Sequence, residues 1–71
     1  MSASRYVTLS FELIVAETEK ALLVRFDEDT EEWIPLGQLA DPDDYSKGDG
    51  PGDISLTRWI CDQKELEYDD G

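Results

Sequence analysis

Residues 5–15 read RYVTLSFELIV, and the alternation in this stretch decides the fold class. Val7, Leu9, Phe11, Leu13 and Val15 fall on one face; Tyr6, Thr8, Ser10 and Glu12 fall on the other. Successive side chains of a strand point to opposite faces, so period two over this length predicts one long half-buried strand. The polar AETE (16–19) then reads as a connection. KALLVRF (20–26) starts a second strand, with Leu22, Val24 and Phe26 sharing a face. EEWIPL (31–36) follows as a shorter third strand. Pro35 has no N–H for a ladder, so this strand is expected at a sheet edge or to stop there. Between the second and third strands, DEDTE (27–31) has the length of a hairpin loop, where carboxylates are solvated at little cost.

The composition changes after GQLA. DPDDYSKGDGPGD (41–53) holds three glycines, two prolines and five aspartates, and is expected to be a variable acidic loop. ISL (54–56) resumes a short strand. TRWICDQKEL (57–66) predicts a last helical turn or two, with Thr57 as N-cap and Trp59, Ile60 and Leu66 facing inward. A strand through Trp59 is the competing reading of that segment. EYDDG (67–71) reads as a frayed acidic tail. The expectation is therefore a mainly β fold, three to five strands in a curled antiparallel sheet with a short C-terminal helix, forming one domain over 1–71.

Charge limits what such a domain can do. Eighteen Asp and Glu stand against six Lys and Arg, a formal net charge of −12. This balance disfavours nucleic acid and anionic membrane as direct partners, since affinity for phosphate comes largely from cations that displace counterions. A basic protein, a saline environment or bound cations would each relieve the self-repulsion. Apolar residues still make up 39% of the chain, so a packed core is feasible. One cysteine, Cys61, and no histidine point to a reducing compartment. The opening MSASRYVTLS lacks the apolar run of a signal peptide, and no stretch approaches the roughly 20 apolar residues of a membrane span. A soluble, cytoplasmic protein is expected.

Three stretches, ETEKALLVRF, EEWIPLGQL and GDISLTRWICDQKEL, resemble a family of small uncharacterised phage and mobile-element proteins. Their pattern runs E-T-x-K-A-(I/L)-L-V, then W-(I/L)-P-x-x-Q-(I/L), then a strand leading into a tryptophan-containing helix. Glu17, Thr18, Lys20, Ala21, Leu22, Leu23, Val24, Trp33, Ile34, Pro35, Gln38 and Leu39 match it here, with Trp59 near the end. Leu36 and Gly37 depart from it, standing where the family usually has Lys-Ser. The resemblance implies an SH3-like barrel and supplies no activity.

Chemistry is hard to place on these residues. Asp27, Asp29 and Glu31 have the alternate spacing of a calcium loop, but an EF-hand needs glycine sixth and glutamate twelfth, where Glu32 and Gln38 stand. Counting from Asp43 puts Tyr45 at the third ligand position. Without histidine, zinc sites and His-activated nucleophiles lack their usual parts. Cys61, between Ile60 and Asp62, reads as a core thiol whose pKa the carboxylate raises. No catalytic residue, metal or cofactor is assigned, and the chain is expected not to be an enzyme.

Binding remains. The candidate contact surface is Asp27, Glu28, Asp29, Glu31 and Glu32 with Trp33 beside them, flanked by Asp41, Asp43 and Asp44. Trp59 is read as core, whereas Trp33 is read equally as core or as an exposed anchor. The charge has three readings. It copies nucleic-acid phosphate toward a basic host protein, as an inhibitor from a phage or mobile element would; it adapts the chain to salt; or it solubilises a housekeeping interaction domain. Homodimerisation through the Trp33–Leu36 edge is a further expectation.

Overall fold

A computed structural model of the chain describes residues 5–66, so the expected tail at 67–71 lies outside the described residues. Its strands are β1 (Tyr6–Phe11), β2 (Leu13–Glu17), β3 (Ala21–Asp27), β4 (Thr30–Pro35) and β5 (Gly52–Thr57), followed by the helix α1 (Arg58–Gln63). Short 3-10 turns occupy Leu36–Gln38 and Pro42–Asp44. β1 pairs antiparallel with β5, and β2, β3 and β4 form a second antiparallel sheet in that order. The mainly β class with a short C-terminal helix is therefore correct. The two sheets pack over one core but do not close into a barrel. The radius of gyration, 11.3 Å, is close to the roughly 11 Å expected for a chain of this length.

The opening stretch is not one strand. Phe11 pairs with Gly52 in the first sheet, whereas the Glu12 N–H donates to the Arg25 carbonyl at 2.8 Å and so already belongs to the second. The chain changes sheets at Glu12, as strands do at the corners of packed sheets. The bend consumes one residue and reverses the parity. Val7 and Phe11 are buried ahead of it, but Ile14 is the fully buried residue after it; Leu13 and Val15 are only half-buried. A bulge between Ile14 and Ala16 then leaves Val15 without a paired residue across β3. The expectation for Leu13 and Val15 fails because β1 and β2 answer to different partners.

The β3–β4 hairpin is tighter than the expected five-residue loop. Asp27 faces Thr30, leaving Glu28 and Asp29 as a two-residue turn, and Thr30 to Glu32 belong to β4. Asp27 Oδ1 accepts from the Asp29 N–H at 2.8 Å, an Asx turn that a leading aspartate favours. Leu22, Val24 and Ile34 point into the core, and Phe26 packs against it. Pro35 ends β4, which is also the margin of its sheet, so both readings of that proline hold.

The acidic loop is tied down at several points. Gly48 N–H donates to the Ile14 carbonyl and Ile14 N–H to the Asp49 carbonyl, each at 2.8 Å, sealing the outer margin of β2. The Tyr45 ring meets Phe11 edge-on at 6.2 Å, and its hydroxyl accepts from Ser55 N–H at 3.3 Å. Gly50, at φ +131°, lies so close to the Glu12 carbonyl that a Cβ would overlap it. Leu39 and Ala40 bridge to the free side of β5. β5 itself starts at Gly52, earlier than the ISL segment suggests, because Asp53 and Gly52 extend the ladder with β1.

Helix α1 closes one end. Thr57 Oγ1 accepts from the Ile60 N–H at 3.1 Å, the expected N-cap. At the other end Leu66 N–H donates to the Cys61 carbonyl at 2.8 Å and Glu65 N–H to that of Asp62 at 3.3 Å, a Schellman motif with Glu65 in the left-handed region at φ 56°. Thr57, Ile60 and Cys61 form the i, i+3, i+4 stripe that faces the core. Trp59 lies off that stripe and is 59% exposed, so its assignment to the core is overturned. Ile60 and Leu66 face inward as expected.

Candidate functional site

The sequence-predicted site splits into three parts. At the tip, Asp27, Glu28 and Asp29 are exposed, with one oxygen of Asp27 engaged by its own turn. Along β4 the next two carboxylates are neutralised from within the chain. Glu31 lies directly across from Arg25 and accepts from its Nε at 2.9 Å and its Nη2 at 2.8 Å. Glu32 lies across from inward-facing Val24 and pairs at 3.7 Å with Lys64, just past α1. Surface pairs of this kind contribute about 0–1 kcal/mol, so their main consequence is for the charge map. On the hairpin, Asp27, Glu28 and Asp29 are the carboxylates without an ion pair among the described residues.

Trp33 follows on the outer face of β4, opposite Leu23, and is 42% exposed. Trp33 is therefore exposed and does not belong to the core. Alternate residues of an antiparallel strand turn their backbone groups to opposite sides. Leu36 N–H donates to the Lys20 carbonyl at 2.8 Å, which fixes the phase. Ile34 and Glu32 therefore bond to β3, while Glu31 and Trp33 present N–H and C=O to the open margin, where no described residue pairs with them. Asp41, Asp43 and Asp44 form the third part, exposed on the 3-10 turn at Pro42–Asp44.

Beneath the hairpin lies a feature without a sequence signal, a cleft of about 440 Å3 between β1, the end of the hairpin and the segment after α1. Leu9, Phe26 and Leu66 line it together with Ser10, Asp27, Thr30 and Glu65. Two local irregularities create it. The bulge between Arg25 and Asp27 displaces Phe26 from regular pairing, and the left-handed Glu65 turns the chain back after the helix.

Other groups are structural. Cys61 is fully buried, and burial, followed by the neighbouring Asp62, pushes its thiol up to about 11. It is a core residue and a poor nucleophile at neutral pH. Among the described residues, no three His, Cys, Asp or Glu side chains are grouped so as to hold a metal ion. Among the described residues no helix is long and apolar enough to cross a membrane.

The pattern that carried the family resemblance also has local physical explanations. Thr18 Oγ1 accepts from the Lys20 and Ala21 N–H groups at 3.2 and 3.0 Å, forming the β2–β3 turn. Glu17 Oε1 accepts from Lys47 N–H at 3.2 Å and anchors the acidic loop. Gln38 Oε1 accepts from the Thr57 hydroxyl at 2.6 Å, leaving that hydroxyl's lone pairs for the helix cap. No family model, no curated protein and no solved structure matches the chain.

Proposed function

We propose that the chain is a non-catalytic, acidic protein-binding module that meets a basic protein. The observation that carries this reading is the hairpin itself. Asp27, Glu28 and Asp29 stand exposed at its tip, and a half-exposed Trp33 sits beside an open backbone margin on β4. Clustered anions steer a cationic partner, while a tryptophan supplies apolar area of the kind favoured in binding hot spots. Asp41, Asp43 and Asp44 extend the negative field. The finer fold reading is an open relative of the SH3-like barrel, supported by five antiparallel strands in two sheets and a 3-10 turn after β4.

Within this reading the partner is a cytoplasmic, nucleic-acid-handling protein, and the chain is an inhibitor of phage or mobile-element type that imitates phosphate. Strand residues rise about 3.3 Å each, against one duplex charge per roughly 1.7 Å of axis, so two neighbouring acidic segments are needed for the imitation. With Glu31 and Glu32 internally paired, the exposed acidic segments left for that role are Asp27–Asp29 and Asp41–Asp44. A second copy pairing through β4 is the other occupant of the same margin. The test is affinity capture from the source organism at low and high salt, with mass spectrometry, against a variant carrying Asp27→Asn, Glu28→Gln and Asp29→Asn. A basic protein captured by the parent and released by salt, but not held by the variant, is the expected result. Equal capture by both proteins refutes the reading.

A further inference from the structure

We propose that the cleft beneath the hairpin receives one lysine or arginine side chain from an extended segment of a basic protein. The inference rests on the binding-module reading and names its central contact. Leu9 on β1 and Phe26 on β3 are half-buried, and with Leu66 they are the apolar residues that line the cleft. Asp27 at the end of β3 and Glu65 after α1 bring a carboxylate each to the same cleft, with the Thr30 and Ser10 side chains also lining it.

Three apolar side chains and two carboxylates lining one cleft match the two halves of a long cationic side chain, whose methylene stem packs on carbon while its head stays among oxygens and water. Other occupants fit less well. A carboxylate or phosphate would meet two like charges. An apolar side chain would meet Leu9, Phe26 and Leu66 but leave both carboxylates unanswered. A bare metal ion needs several oxygens converging on one point, which the described residues do not offer. A second copy would bring a further formal charge of −12 against the first. The chain's own cations nearby are already engaged, Arg25 with Glu31 and Lys64 with Glu32. The volume of about 440 Å3 leaves room for one long side chain with water about its head.

The test titrates the full-length, isotope-labelled protein with blocked peptides of sequence Gly-Gly-X-Gly-Gly, where X is lysine, arginine or norleucine. The lysine or arginine peptide is expected to shift the amides of Leu9, Phe26, Thr30 and Leu66, while norleucine shifts none. Replacing Asp27→Asn with Glu65→Gln keeps every backbone hydrogen bond and should weaken binding about tenfold, the loss of a charge-assisted contact. A charge-matched control, Glu12→Gln with Glu19→Gln, should change it by less than about twofold at moderate salt, since both carboxylates are exposed and neither lines the cleft. Glu65→Gly adds a readout that a purely structural role would not produce, namely a higher melting temperature with weaker binding. If the control weakens binding as much as the cleft variant, attraction is diffuse and the cleft assignment is overturned, while the binding-module reading stands. No shift with either cationic peptide also overturns the cleft. Failure of the lysate capture as well overturns the reading beneath it.

Discussion

Replacing Ile14 with alanine probes the point where the chain leaves one sheet for the other. Ile14 is fully buried, between inward-facing Val24 on β3 and the loop that seals β2. The substitution removes three carbons, about 2.4 kcal/mol of transfer free energy at about 0.8 per buried carbon. A cavity contribution raises this to about 3–4 kcal/mol, inside the roughly 2–5 kcal/mol seen for such truncations. A domain of this length holds roughly 4–11 kcal/mol in total, so the variant should lose much of its stability. Thermal unfolding followed by far-ultraviolet circular dichroism should show a midpoint lower by roughly 12–30 °C, at about 4–8 °C per kcal/mol. Leu13→Ala and Val15→Ala, at half-buried positions, should each cost only about 1 kcal/mol. If either destabilises the protein more than Ile14→Ala, the chain does not change parity at Glu12, and the two-sheet account fails.

Glu65→Gly should stabilise the protein by about 1 kcal/mol, because only glycine occupies the left-handed region without a Cβ penalty; chemical denaturation would measure it, and a loss of stability would refute the C-terminal capping argument. Gly50→Ala should unfold much of the population or displace the acidic loop, since its Cβ overlaps the Glu12 carbonyl, and unchanged stability would contradict that close approach. Cys61 gives a pH signature. Its folded pKa is raised from the ordinary 9.0 to about 11, so its contribution is complete below pH 9 and is lost as pH climbs toward 11. Melting curves of the parent should therefore fall more steeply than those of Cys61→Ala across that window, and parallel curves would argue against a buried thiol.

Much of this architecture was readable from the residues, and the failures share a cause. Leu22 and Val24 alternate within one ladder, so period two placed them correctly, and Phe26 packs against the same core despite the bulge beside it. RYVTLSFELIV misled because its apolar residues answer to two ladders, and Ile14 was the apolar residue that strict alternation left on the wrong face. Thr57 announced the helix start through its side chain, whereas Trp59 went astray because six helical residues define too narrow a stripe for periodicity to fix. The exposed aspartates of the hairpin tip and of the 41–44 turn were legible as charge. Their selective neutralisation was not, since Arg25 reaches Glu31 through strand register and Lys64 reaches Glu32 through the fold. The cleft had no signal at all, because a bulge at Phe26 and a left-handed Glu65 make it jointly.

The sharpest single measurement is circular dichroism in roughly 10 mM buffer, where the Debye length is about 30 Å and the uncompensated anions repel one another almost unscreened. A spectrum already rich in strand there, with a cooperative melt, is what a self-sufficient β scaffold offering its carboxylates to a partner requires. A chain that stays unfolded until potassium chloride reaches molar strength would assign the acidity to salt adaptation and remove the ground for the proposed contact.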